Sequence, residues 1–188
     1  MVDDRPIKAV DGEQGELFPD SSLPDELVGY RGPAACQIAG ITYRQLDYWA
    51  RTKLVAPSIR TAHGSGSQRL YSFKDILALK IVKRLLDTGV SLQNIRVAVD
   101  HLRARGVADL AKVTLVSDGT TVYECTSPEE IVDLLQGGQG VFGIAVKVPM
   151  QEISGTIHEF PAERADGGEI EAIVPDELTQ RRNARRIG

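Results

Sequence analysis

Residues 32–52 read GPAACQIAGITYRQLDYWART, and this stretch decides the fold. Pro33 stands where a helix opens, because the first helical residue needs no backbone N–H. That helix runs through Ala34, Ala35, Cys36 and Ile38 to Ala39, and Gly40 ends it. Thr42-Tyr43-Arg44-Gln45 is a capping box, in which the threonine oxygen accepts from the free N–H groups of the helix start and Gln45 reaches back. A second helix is expected over about Tyr43–Thr52, with Leu46 and Trp49 on its inner face. Helix, glycine turn and helix form a helix-turn-helix.

Downstream, Val55-Ala56-Pro57-Ser58-Ile59-Arg60 and Gln68-Arg69-Leu70-Tyr71 read as extended, joined by the turn-rich loop 61–67. This predicts a β-hairpin with a long flexible tip, a wing. Ser72 and Asp75 form a capping box for a third helix, Phe73 to about Asp87, whose buried face is Ile76, Leu77, Leu79, Leu85 and Leu86. Thr88-Gly89-Val90-Ser91 turns the chain into a fourth helix, Leu92 to about Arg105. There Leu92, Ile95, Val99 and Leu102 follow the spacing of a coiled-coil seam or a helix pair.

After Gly106 the pattern becomes mixed. Strands are expected at 113–116, at Thr120–Cys125 and at Val141–Val148, with a fourth over Glu152–Glu159. Ser127-Pro128-Glu129-Glu130 caps a short helix, Pro128–Gln136, which Gly137-Gly138-Gln139-Gly140 breaks. At about fifty residues this unit is too small to stand alone, so it should pack on the fourth helix or on a second subunit. The expected fold class is α+β. Residues 1–27 form a disordered acidic tail, 28–105 a winged helix-turn-helix of four helices, 106–160 a small α+β dimerisation or effector domain, and 161–188 a second disordered tail with a short helix near Glu177–Arg186.

The charge is segregated along the chain. Of 188 residues with a net charge of −4, residues 30–105 hold 13 Lys and Arg against 4 Asp and Glu. Residues 1–29 hold 2 against 8, and residues 106–163 hold 2 against 9. A basic middle between acidic flanks points to a polyanion-binding module joined to something else. No apolar run approaches the ~20 residues of a membrane span, and the N-terminus lacks the basic and apolar regions of a secretory signal. Cys36 and Cys125 form no CxxC or Cys/His cluster, so a disulfide framework and a structural zinc site are both disfavoured and a reducing cytoplasm is expected.

The middle segment resembles the MerR-type transcriptional regulators. Gly40-Ile41-Thr42 looks like their turn into the recognition helix, and Leu46-Asp47-Tyr48-Trp49-Ala50-Arg51 stands where they carry a Leu-Arg-Tyr-Tyr-Glu-Arg-like run. Leu54-Val55-Ala56-Pro57 is similar to their Gly-Leu-x-x-Pro exit, and Arg69-Leu70-Tyr71-Ser72 to their wing strand. Leu86-x-x-Gly89-Val90-Ser91-Leu92-x-x-Ile95 is similar to the link between their last two helices. The resemblance implies a homodimer on a pseudo-palindromic element of double-stranded promoter DNA, acting by DNA distortion and so on RNA polymerase only indirectly. It would be nucleoid-associated in the cytoplasm. The chain looks like an actinobacterial-type member whose C-terminal domain is not of the metal or multidrug kind. Any small-molecule effector is unassigned, and no cofactor is implied.

A recognition helix presents its first turn to base edges, here Thr42, Tyr43, Arg44 and Gln45. Arg44 has the geometry for a bidentate pair with guanine. Gln45 has the chemistry to read adenine, but the cap competes for it and is the preferred assignment. Tyr48 and Arg51 are placed for phosphate, with packing as the other role for Tyr48. Arg60, Ser67, Gln68, Arg69 and Tyr71 line the wing and would anchor on the DNA backbone or in the minor groove. Two departures from the family stand out. Asp47 and Ala50 replace an arginine and an acid, so Asp47 needs a basic partner such as Arg51. The seam also ends at Gly106, which moves dimer contacts towards the C-terminal unit. Trp49 reads as core, Cys36 as a buried thiol, and His63, His101 and His158 lie too far apart in sequence to suggest a metal site or a triad. An enzyme is disfavoured, and the rival function is an architectural, excisionase-like DNA-bending protein without an effector.

Overall fold

The capping boxes stand where the sequence puts them, and they set the helix starts. The computed structural model describes residues 27–62, 68–138 and 142–167. The acidic residues 1–26, the loop with His63 and Ser67, and the arginine-rich end lie outside the described residues. Strand β1 (Val28–Arg31) leads into helix α1 (Gly32–Ala39), which Gly40 closes at φ 72°, a conformation that favours glycine. Helix α2 (Tyr43–Arg51) carries the complete Thr42/Gln45 box. Strand β2 (Leu70–Tyr71) precedes α3 (Phe73–Asp87), which is capped by Ser72 and Asp75, and α4 (Leu92–Ala104) is capped by Ser91.

The seam residues of α4 are used inside the chain. Ile95, Val99 and Leu102 are buried in the same apolar cluster as Ile76, Leu79 and Val82 of α3. Of the two expected roles the seam therefore serves the helix pair, and a dimer cannot use these three side chains. A buried carboxylate locks the corner. Asp75 accepts from Ser58 N and Ser58 Oγ at 2.7 Å each and from Ser72 N at 3.0 Å, and Arg103 lies 3.7 Å away. A buried charge is tolerable only with partners of this kind.

The expected wing hairpin is not formed as two paired strands. Among the described residues the two stretches meet only at the Arg60–Leu70 bridge, while β2 pairs with β1 through Tyr30–Tyr71 and Arg31–Leu70. The reason is local. Val55 is buried and Ser58 is bound to Asp75 at the start of α3, so residues 55–58 follow the core instead of running alongside β2.

Beyond a one-turn helix α5 (Val107–Leu110), strands β3 (Thr114–Ser117), β4 (Val122–Cys125) and β5 (Phe142–Ala145) form an antiparallel sheet of order β4-β3-β5, and α6 (Pro128–Gln136) follows β4. The strand expected over Glu152–Glu159 is instead helix α7 (Lys147–Thr156) and a 3₁₀ turn (Ile157–Glu159). Val146, Pro149, Ile153 and Ile157 recur at helical spacing and turn one stripe inward. Helix α7 packs on α3 and α1 and is tied there by Glu152, 2.6 Å from Arg84 and 3.1 Å from Lys80. Leu115, Ile144, Val146 and Ile153 join the helical cluster, so the C-terminal unit shares the core of the N-terminal one.

The tail expected from residue 161 also changes. Ala162–Arg164 form strand β6, antiparallel to β1, which gives a second sheet of order β2-β1-β6. Backbone pairing here is decided by what lies opposite, and β1 offers an open edge opposite β2.

Candidate nucleic-acid interface

Helix α2 presents its first turn outward. Tyr43 is 62% exposed and Arg44 is exposed, while Leu46 and Trp49 on the opposite side are buried. Gln45 is committed to the cap. Its Oε1 accepts from Thr42 N at 3.0 Å, and its own N–H donates to Thr42 Oγ1 at 3.2 Å. Arg44 is thus the first-turn cation left to meet a polyanion, on a helix whose start is held rigid.

Asp47 has the basic partner it needed, and a second one. Its carboxylate accepts from Arg69 at 3.0 Å and pairs with Arg51 at 2.9 Å. The hydrogen bond from Arg69, reinforced by the charge of Arg51, holds its carboxyl below the usual range. Asp47 is thus a brace between α2 and the residues before α3, and two cations around one anion leave the patch positive.

The other expected contacts divide. Gln68 is exposed and shares a groove of about 450 Å³ with Tyr43, Asp47 and Arg69. Tyr48 is 47% exposed and lines a smaller groove with Thr52, Gln93 and Arg96. Ser67 lies outside the described residues. Arg60 points elsewhere, donating to the carbonyls of Arg164 and Ala165 at 3.3 Å each. Tyr71 is corrected outright: it is fully buried and cannot reach a DNA backbone. Its hydroxyl lies beside Arg69 without a hydrogen bond of normal geometry, and burial pushes its pKa up to about 12. Leu70 and Tyr71 point to opposite faces of β2, and both faces are covered, so both side chains are buried.

Comparison with known proteins points to the same class of protein. The family model described as MerR HTH family regulatory protein matches residues 30–102. An HTH-type transcriptional regulator of Mycobacterium tuberculosis is 77% identical over 172 residues, covering 92% of this chain and 76% of that protein, and one of Mycobacterium bovis has the same values. The heavy metal-dependent transcription regulator 1 of Rhizobium meliloti is 31% identical over 107 residues, or 56% of this chain and 71% of that protein. The chain belongs to the MerR family.

Two basic residues of this MerR protein escaped the sequence reading. Arg31 lies beside Tyr43 and Gln68 in the larger groove, and Arg96 beside Tyr48 in the smaller one. Their only signal was membership of the basic segment: Arg31 ends β1, one helix before α2, and Arg96 lies on α4. Among the described residues no group of three or more His, Cys, Asp or Glu is placed to hold a metal ion. Burial pushes the Cys36 thiol up, and burial with Glu130 and Glu124 does the same for Cys125, so both stay protonated near neutral pH. A groove of about 1110 Å³ lies between α4, β4 and α6, walled by Val97, His101, Tyr123, Glu124 and Asp133.

Proposed function

We propose that this DNA-binding transcriptional regulator acts as a homodimer on a pseudo-palindromic promoter element. It reads bases with Arg44 and Tyr43 and anchors on phosphate with Tyr48, Arg51, Gln68 and Arg69. The observation that carries the reading is the exposed, capped first turn of α2 beside the braced pair Asp47–Arg69. The connection from Arg60 to Leu70 serves as the wing. Distortion of the DNA between promoter elements is the mode of action, so RNA polymerase is affected through the DNA and the protein works in the cytoplasm, at the nucleoid. Chemistry on a substrate has no part in this reading. Sharing of one core between the two units supports a regulator over a bare DNA-bending protein, since bending needs only the helix-turn-helix part.

Selection of bound duplexes from a random pool by the full chain, followed by footprinting, tests this. The expected product is an inverted repeat with half-sites about one helical turn apart or a multiple of it. Arg44→Ala should relax preference at one or two positions, a change of about 1–3 kcal/mol per base pair. A pool with no enriched sequence would favour the architectural protein instead.

A further inference from the structure

Arg60 joins both edges of the β2-β1-β6 sheet. Its backbone N–H donates to Leu70 O at 3.3 Å and its carbonyl accepts from Leu70 N at 2.9 Å. Its guanidinium crosses to the opposite edge and donates to Arg164 O and Ala165 O, 104 and 105 positions away. The crossing is close, because a Cβ placed on Gly29 of β1 would stand 2.8 Å from Leu70 Cβ and 3.0 Å from Ile59 Cγ2. Strand β6 is held independently. Ala165 N donates to Leu27 O at 2.8 Å, and Glu163 pairs with Arg31, which lies beside Tyr43 and Gln68. The segment leading into β6 is fixed in turn by Glu152 on α3.

From this geometry we infer that Arg60 is a positioning residue for DNA binding. Through the carbonyls of Arg164 and Ala165 it fastens itself and its bridge partner Leu70 to β6, so that the C-terminal strand sets how the neighbouring Gln68 and Arg69 meet DNA. The inference rests on the DNA-binding reading above. It reassigns a cation that the sequence places on phosphate, because a guanidinium directed at two carbonyls of the same chain is held away from the duplex. It also makes any displacement of β6 a change in DNA affinity.

A double-mutant cycle in the full chain tests it. Arg60→Ala removes the guanidinium, and Ala165→Pro removes the Ala165–Leu27 hydrogen bond without changing any charge. Each is expected to lower affinity for a selected duplex about tenfold, and the double variant is expected to bind no worse than the weaker single one. Amide exchange at Leu70 and Ala165 in DNA-free Arg60→Ala should be faster than in the parent protein. Arg60→Lys, which keeps the charge but loses the planar fork, should bind like Arg60→Ala.

Losses that multiply in the double variant overturn the inference, and so does Arg60→Lys binding like the parent while Ala165→Pro is silent, which marks a phosphate contact. A parent protein that binds no duplex removes the DNA-binding reading and the positioning role together, and the exchange data then report on the tie between Arg60 and β6 alone. Unchanged exchange in Arg60→Ala overturns the tie itself, whatever the DNA does.

Discussion

Arg69 donates to Asp47 across 22 positions of chain, and this bond at 3.0 Å joins the recognition helix to the segment that precedes α3. It explains how a carboxylate is tolerated on the basic face of a DNA-binding protein. The anion is shared by Arg69 and Arg51, and it fixes the first of these in place.

Arg69→Ala should weaken binding to every duplex and lower the slope of log K against log salt by about 1. Asp47→Ala should do the opposite to the slope, since it frees a cation, while loosening the tie between α2 and the segment before α3. Because Arg69 holds the carboxyl of Asp47 below its ordinary value, the brace is present above about pH 3.8 and is lost only as pH falls through the lowered value. An NMR titration of the Asp47 carboxyl checks this: a midpoint at or above the ordinary value would refute the bond in solution.

Tyr71→Phe should leave DNA affinity unchanged and should not destabilise the protein, because the buried hydroxyl has no hydrogen bond of normal geometry to lose. The phenol titrates at about 12 in the folded state against 10.0 when free. The native state therefore holds the proton more tightly, and this contribution is full below pH 10 and fades as pH rises towards 12. Denaturant titrations across that range should show the loss in the parent protein and a flatter profile in Tyr71→Phe.

Gly29→Ala should destabilise the fold by about 1–3 kcal/mol, because the added Cβ meets Leu70 and Ile59 at overpacked distances. Urea unfolding measures it. An unchanged midpoint would mean that the crossing of the 59–60 segment over β1 is looser than described.

Lys53 follows α2 at φ 57°, a left-handed conformation held while Leu54 N bonds to Trp49 O at 2.9 Å. Lys53→Gly should therefore raise stability by up to about 1 kcal/mol, the relief of the Cβ clash less the extra chain entropy of glycine. If thermal unfolding instead shows Lys53→Gly to be less stable, the lysine side chain has a role beyond its backbone.

The amino-acid sequence by itself determined helices α1 to α4 and α6 and their starts. Thr42/Gln45, Ser72/Asp75 and Ser91 cap within three or four residues, and Ile95, Val99 and Leu102 mark a buried stripe at a spacing visible in one helix. These signals act over single turns, so they read without a fold. The same holds for Arg44, whose exposure follows from the cap before it and the buried Leu46 behind it. Helix α7 was missed: its stripe from Val146 to Ile157 has helical spacing, but the strand periodicity just before it masked the change of period. Tertiary structure alone decided where distant backbone edges meet. It made β1 a central strand, drew residues 162–164 out of an expected tail, turned Tyr71 inward, and aimed Arg60 at carbonyls more than a hundred positions away. A strand edge and a guanidinium each bind any suitable group that is brought near. Nothing local to Arg60 or Ala162 distinguishes phosphate or water from the partner that the folded chain supplies.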